Sequence, residues 1–167
     1  MRSRSYLNLA TVYFKLGDLA RSRQLLELAW ADRSAVLPPD DPRLWSIKEA
    51  LGDQEFFAGD VAEAERHFRA ILDGLERTVG SHNVMYFRTA AKLAEVYGEQ
   101  QRYAEADALF RSTLAIAEGN ARITPMQMAE ACSRWSRVLV QEGRFTEAMH
   151  VLDRAENAYA SVNDRSH

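Results

Sequence analysis

Histidine and cysteine are the side chains in this sequence best suited to metal binding or nucleophilic chemistry, and their spacing supports neither. The histidines are His67, His82, His150 and His167, and the single cysteine is Cys132. No histidine has a second histidine or a cysteine at the i, i+4 spacing that places two ligands on one helix face. A catalytic site also needs a nucleophile, a base and an orienting group that converge. We therefore expect no enzyme, no metal site and no cofactor.

The remaining composition narrows the function classes further. The net charge is −3 and the pI is about 5.8, so the basic surplus typical of nucleic-acid binders is missing. No apolar run approaches the roughly 18 residues that cross a bilayer, and no glycine-rich phosphate loop or hydrolase elbow is present. Cys132 is expected to be a small buried hydrophobe. The histidines are expected to be ordinary surface or packing residues, and a lone cysteine favours a cytoplasmic location.

An internal repeat organises the elements that must position any functional residue. Gly17, Gly59, Gln101 and Gly143 follow one another at intervals of 42 residues. We call residues at the same position of successive repeats a column. Four further columns keep the 42-residue interval: Leu9, Leu51, Leu93 and Trp135; Ser22, Ala64, Ala106 and Ala148; Leu19, Val61, Tyr103 and Phe145; and Leu26, Phe68, Phe110 and Leu152. Columns in one register without an insertion identify a repeat architecture.

Each repeat is predicted to be two helices, because apolar residues recur every three or four positions on both sides of the turn residue. Gly17 and Gly59 can end one helix in the left-handed conformation, and Asp18 and Asp60 can cap the next. Thr124 opens a later helix with a capping-box pattern. The predicted helices span about 4–16, 19–35, 42–58, 61–79, 82–99, 103–118, 125–142 and 145–162. The sequence thus predicts an all-α single domain over 1–167, with four helix-turn-helix repeats at about 4–35, 42–79, 82–118 and 125–162.

The pattern Tyr-x-x-Leu-Ala-x-x-Tyr-x-x-x-Gly-x-x-x-x-(Ser/Ala)-x-x-x-Leu-x-x-Ala, read from Tyr6 to Ala29, resembles the tetratricopeptide repeat, whose usual length is 34 residues. The longer period is similar to that of kinesin light chains and of many bacterial regulatory proteins. The segments 36–42 and 103–110 carry the likeness best. The resemblance implies a right-handed α-solenoid of about eight antiparallel-paired helices that binds a protein or peptide.

The resemblance also implies a binding face, since in this family the first helix of each pair lines a concave groove. Carried over by register, the groove residues are Arg4, Asn8, Thr11, Phe14, Lys15, Glu49, Asp53, Phe56, Phe57, Arg88, Lys92, Glu95, Glu99, Arg134 and Arg137. Leu7, Ser46 and Ala50 fall on the same predicted face. Phe14, Phe56 and Phe57 form an aromatic cluster. Arg88, Lys92, Arg134 and Arg137 form a basic patch.

Two uses of the basic patch are open at this point. Its cations can simply pair with the flanking glutamates, such as Glu95. They can also bind a partner segment that carries Asp or Glu and an apolar anchor. Some family members clamp a C-terminal carboxylate; Arg88 and Lys92 match two positions of that clamp. Other positions depart from it, so no such clamp is expected.

A protein-interaction scaffold is the leading functional hypothesis, and the other hypotheses concern the chain ends. The repeat begins close to Met1, which favours a regulatory fragment of a larger protein that docks its own enzymatic domain. The first helix carries more apolar residues than one partner helix can cover: Tyr6, Leu7, Leu9, Val12, Tyr13, Phe14 and Leu16. A weak homo-oligomer through the N-terminal unit, or a missing upstream element, is therefore expected. At the other end, Glu156 replaces the apolar residue of its column, as in a terminal cap.

Overall fold

The computed structural model describes residues 2–163, which form eight α-helices packed pairwise. The helices are α1 (Arg2–Lys15), α2 (Leu19–Ser34), α3 (Pro42–Ala58), α4 (Val61–Thr78), α5 (Val84–Glu99), α6 (Tyr103–Glu118), α7 (Pro125–Glu142) and α8 (Phe145–Asn163). Every helix end lies within two residues of its predicted position. The prediction of an all-α chain built from helix pairs is confirmed.

The helices group into two compact units, Met1–Gly74 and Leu75–His167, and the division falls within α4. In the first unit α1 packs on α2, and α2 packs on α3. In the second unit α5 pairs with α6 and α7 pairs with α8, while α7 also contacts both α5 and α6. The single domain over 1–167 stays a prediction.

The turn inside each helix pair uses a residue in the left-handed conformation. Gly17, Gly59 and Gly143 have φ angles of 80°, 85° and 85°, which glycine adopts readily because it lacks a Cβ atom. Gln101 occupies the same slot in the third pair, with a φ of 60°. Since left-handed backbone is unfavourable for a residue with a side chain, the repeat register overrides the local preference of Gln101.

The helix starts carry the predicted caps. Asp18 and Asp60 each accept the backbone N–H of the third residue after them, at 3.0 and 3.2 Å. Thr124 and Gln127 form the predicted capping box: the Gln127 N–H donates to Thr124 Oγ1 at 3.3 Å, and the Thr124 N–H donates to Gln127 Oε1 at 2.8 Å. These bonds satisfy backbone donors that have no partner inside the helix.

Apolar columns of the repeat fill the core of each unit. In the first unit Ala10, Leu26, Ala29, Ile47 and Leu51 form one buried cluster. The small-residue column of Ser22, Ala64, Ala106 and Ala148 is buried throughout. A small side chain at this position lets the second helix of a pair approach the first closely.

The core of the second unit accommodates a tryptophan in a leucine column. Trp135 is buried, and its ring stacks on Phe110 with a centroid distance of 5.9 Å. The indole Nε1–H donates to Asp107 Oδ1 at 3.0 Å. A buried tryptophan needs such an acceptor, so Asp107 is what allows the larger side chain to occupy this column.

The first and last repeats leave their outermost apolar positions exposed. Leu9 is 48% exposed, whereas Leu51 and Leu93 of its column are buried. Val12 and Leu16 on α1 are exposed as well, which confirms the predicted apolar surplus on this helix. At the other end Glu156 is exposed as expected of a cap. However, the same helix also exposes three apolar side chains, Phe145, Met149 and Leu152.

Candidate functional site

The residues best suited to catalysis do not come together in the described part of the chain. Cys132 is buried, and burial raises the pKa of its thiol, so it is a poor nucleophile. His67 is half-buried, and burial lowers the pKa of its imidazole. His82 and His150 are exposed, and His167 lies outside the described residues. Between residues 2 and 163 no three His, Cys, Asp or Glu side chains form a group that could hold a metal ion.

In the first unit, several predicted groove residues surround one cavity of about 310 Å³. The cavity is bounded by α1, α2 and α3. Its lining residues are Leu7, Ala10, Thr11, Phe14, Ser22, Leu26, Ser46, Ala50, Asp53 and Gln54. Six of these ten lie on the face that the repeat register assigned to the groove. The first helices of two successive pairs therefore form a concave surface, and Ser22 and Leu26 of α2 complete its lining.

Other predicted groove residues of the first unit lie outside this cavity. Asn8 and Lys15 are exposed on α1, and Arg4 lines a separate cavity of about 430 Å³ near the 36–37 turn. Glu49 is 6% exposed, so it belongs to the interior rather than to an open surface. Register alone does not separate these cases, because it identifies a helix face but not how deeply each position on that face is covered.

The aromatic cluster is formed as predicted. The rings of Phe14 and Phe57 meet edge to face with centroids 5.2 Å apart, and Phe56 and Phe57 are 6.1 Å apart. Phe57 remains 67% exposed. The cluster adjoins the cavity through Phe14, which lines it. An exposed aromatic group beside a cavity is an effective anchor for another chain.

A polar pair that sequence reasoning missed lies in the cavity wall. Ser22 is fully buried and its hydroxyl donates to the Ala10 carbonyl at 2.6 Å. The Gln54 side-chain amide donates in turn to Ser22 Oγ. Gln54 is 5% exposed, and its Oε1 atom is buried without a hydrogen-bond partner. A buried carbonyl oxygen without a hydrogen bond lowers the stability of the fold by about 1–3 kcal/mol. A hydrogen-bond donor placed beside Gln54 Oε1 would remove this loss.

The repeat columns contained the signal for this pair. Gln54 stands in a column whose other members are Val12, Val96 and Val138. Ser22 stands in a column whose other members are alanines. A polar residue that replaces an apolar one in two contacting columns marks a local departure from the repeat. Serine and alanine are both small, so the size pattern of the Ser22 column does not by itself reveal the polar pair.

In the second unit the basic patch is substantially paired. Glu95 is only 5% exposed, and it accepts from the guanidinium groups of Arg134 and Arg137. Arg134 also contacts Glu130 at 2.8 Å. These carboxylates raise the pKa of Arg134 against the lowering effect of its burial. Of the two uses considered for the basic patch, these two arginines therefore show the first, which is pairing with neighbouring glutamates.

The other predicted residues of the second unit differ in exposure. Arg88 is exposed and Lys92 is half-buried, and both interact with other groups. Glu99 is exposed and accepts from Gln141 Nε2 at 2.8 Å. The only cavity that Arg88 lines among those described in this unit has a volume of about 10 Å³. The space beside Arg88 is thus far smaller than the cavity of about 310 Å³ in the first unit.

Two models of the tetratricopeptide repeat match the sequence, one over residues 3–43 and the other over residues 40–119. The chain belongs to the tetratricopeptide-repeat family. The boundary between the two matches, at residues 40–43, coincides with the start of the second helix pair, because α3 begins at Pro42. No curated protein matches the sequence.

Solved structures show the same fold at low sequence identity. The crystal structure of BtubC (BKLC) from P. vanneervenii superposes with a TM-score of 0.82 at 20% identity, over 96% of this tetratricopeptide-repeat chain and 64% of the other. Nearly identical TPR-like repeats of a kinesin-light-chain-like protein from Podosopora anserina superpose with a TM-score of 0.78 at 22% identity, over 96% and 77% of the two chains. The chain thus spans less than two thirds of BtubC. No helix within residues 2–163 is long and apolar enough to cross a membrane.

Proposed function

We propose that this tetratricopeptide-repeat chain binds a segment of a partner protein on the face formed by the first helices of its pairs. The repeat is generally a protein-interaction module and typically non-catalytic, and both family matches are to it. The observation that carries the proposal is the cavity between α1 and α3, lined by six residues of the predicted face. A concave surface that combines apolar side chains with several polar groups is a usual form of a binding site.

The aromatic cluster gives this site an anchor. Phe57 is largely exposed beside Phe14, so a partner side chain that covers it buries apolar surface at about 25 cal/mol per Å². Part of that gain is offset by the ordering of the bound segment. Affinity in the micromolar range, about −8 kcal/mol, is the expected outcome. In the second unit, Arg88 and Lys92 are the groove cations proposed to bind acidic residues of the same kind of partner. A cytoplasmic location, suggested by the single buried cysteine, is part of the proposal.

A blocking substitution tests the proposed site. Ala50 lines the cavity and is half-buried, so Ala50→Trp places a large ring in that space. Ala62 is exposed on α4 outside the cavity, and Ala62→Trp is the matched control. A partner is first captured on the full chain from the source organism and identified by mass spectrometry. Binding of the purified partner is then measured by calorimetry.

The expected result is a loss of at least tenfold in affinity for Ala50→Trp and less than twofold for Ala62→Trp. Both variants should remain helical in circular dichroism. Equal binding by a folded Ala50→Trp variant would place recognition on another surface and overturn the proposal.

Self-assembly is a second candidate function, and the exposed ends favour it. Leu26, Phe68 and Phe110 are buried, whereas Leu152 of the same column is exposed. Leu9 is likewise exposed in a column that is otherwise buried. Contact between a Leu9 surface and a Leu152 surface of two copies would continue the repeat register. This function does not require the cavity, so the Ala50→Trp substitution leaves it unchanged.

A further inference from the structure

The cavity of the first unit has a hydrogen-bonding character that selects among partner side chains. Its lining contains three hydroxyl groups, and each already donates its proton to a backbone carbonyl. Thr11 donates to Leu7 at 3.0 Å, Ser22 to Ala10 at 2.6 Å, and Ser46 to Arg43 at 3.0 Å. These hydroxyl groups therefore have no proton left to donate to a ligand, but their oxygen atoms can still accept a hydrogen bond.

Two further acceptors belong to the same lining. Gln54 Oε1 is buried without a partner. Asp53 is the one charged residue among the ten that line the cavity. Asp53 already interacts with another group, but a carboxylate has about four lone-pair sites, so capacity remains. The unmet need of the cavity is a hydrogen-bond donor, and the carboxylate favours a donor that carries positive charge.

The rest of the lining is apolar. Leu7, Ala10, Phe14, Leu26 and Ala50 surround the polar groups. An aliphatic stem packs against such a wall while its charged end reaches acceptors. Lysine and arginine combine a stem of this kind with a donor-only cationic end, whereas Asp and Glu add acceptors to a site that already has them.

We propose that the cavity between α1 and α3 binds a basic side chain, lysine or arginine, of the partner segment. The stem lies between Leu7, Phe14 and Ala50, and the cationic end donates to Asp53. A rotation of the Gln54 side chain then brings Oε1 to the same donor. This inference rests on the proposed function, since it names the chemistry of the partner at that same site.

The repeat itself supports a binding role for the polar pair. The residues equivalent to Ser22 and Gln54 in the second unit are Ala106 and Val138, and both are buried. The Ala–Val combination therefore suffices for packing. Replacing two buried polar partners by apolar residues of similar shape is nearly neutral or stabilising. Ser22 and Gln54 are thus not needed for the fold, and the bound donor accounts for their presence.

Peptide display on the full chain tests the proposal. A random 12-residue library is selected on the immobilised protein and depleted on the Ala50→Trp variant. The expected result is a motif with Lys or Arg at one position. A selected peptide is then synthesised with norleucine in place of the basic residue, which keeps an aliphatic stem and removes the donor. Calorimetry should show at least tenfold weaker binding of the norleucine peptide.

The double variant Ser22→Ala with Gln54→Val provides the matched control, because it recreates the combination of the later repeats. It should melt at or above the temperature of the parent, and the preference for the basic peptide should shrink at least threefold. A motif that depends on Ala50 but contains no basic position overturns this inference and leaves the proposed function intact. An unchanged basic preference in the folded double variant also overturns it, since Gln54 would then take no part. Failure to select any peptide that is sensitive to Ala50→Trp counts against both.

Discussion

At the scale of single residues, this protein is most informative where one residue departs from its repeat column. Gln101 departs from a glycine column and adopts a φ of 60°. Gln54 departs from a valine column and leaves a buried acceptor unpaired. In both cases the helices keep the repeat register, and the departure lowers the free energy of unfolding locally. At Gln101 the cause is the left-handed backbone, and at Gln54 it is the unpaired buried oxygen. Such positions are the best places to change stability or binding without changing the architecture.

Gln101→Gly should stabilise the second unit. Left-handed backbone costs a residue with a Cβ atom about 1–2 kcal/mol, and glycine gives back about 0.4–1 kcal/mol through its freer unfolded chain. The net gain expected is about 0.5–1 kcal/mol, seen as a higher midpoint in chemical denaturation. Gly59→Ala makes the opposite change at the equivalent slot, where φ is 85°, and should destabilise. A loss of stability in Gln101→Gly would contradict this account of the turn.

Glu95→Gln should destabilise the second unit by about 1.5–3 kcal/mol, because it weakens the charged hydrogen bonds that Arg134 and Arg137 donate to a buried carboxylate. Glu118 is the matched control, since it is exposed and pairs with Arg154. Glu118→Gln should cost less than about 1 kcal/mol, as exposed ion pairs do. Urea denaturation of both variants measures the difference, and equal losses would mean that burial of Glu95 does not strengthen its pairing.

At the scale of elements, helix boundaries were predictable because caps and left-handed turn residues are local signals. The contacts between helices were less predictable from the sequence, and Gly98 is an example. Gly98 occupies the column of Phe14 and Phe56, yet it is buried inside α5. A Cβ atom on it would lie 2.5 Å from Cγ2 of Val138 on α7. The missing side chain is what lets α5 and α7 pack at this distance.

Gly98→Ala should therefore destabilise the protein even though alanine is the better helix former. Overpacking costs about 1–3 kcal/mol, which exceeds the roughly 1 kcal/mol that alanine contributes in a helix interior. Gly119→Ala is the control, because its φ is −99° and nothing lies within 4 Å of the added atom. It should change stability by less than about 0.5 kcal/mol. Thermal melting compares the two, and a neutral Gly98→Ala would show that Val138 moves aside freely.

At the scale of the whole molecule, the two ends of the repeat differ from its interior. Apolar residues whose column mates are buried lie exposed on α1 and α8. Exposed apolar patches of this kind mark interaction surfaces. We predict weak self-association through the N-terminal unit, separable from partner binding at the cavity.

Leu9→Asp should abolish this self-association, because it places a charge in the apolar surface of α1. Sedimentation velocity at high protein concentration should show a concentration-dependent shift for the parent and none for the variant. Leu28→Asp introduces the same change at similar exposure, 46% against 48%, on α2. It should behave as the parent. A strictly monomeric parent, or an equal effect of the two substitutions, would remove the proposal for the N-terminal surface.

The sequence alone determined the helices and their pairing, which follow from local backbone signals and from a strict 42-residue period. The face that contains the candidate site was implied by the resemblance to the tetratricopeptide repeat. The tertiary structure decided which positions on that face are open. Glu49 and Glu95 proved to be buried, Arg134 and Arg137 proved to be paired, and the space lies beside Phe14 above Gln54. Depth and pairing depend on side chains from other helices, so a periodicity that identifies a face cannot rank the residues on it.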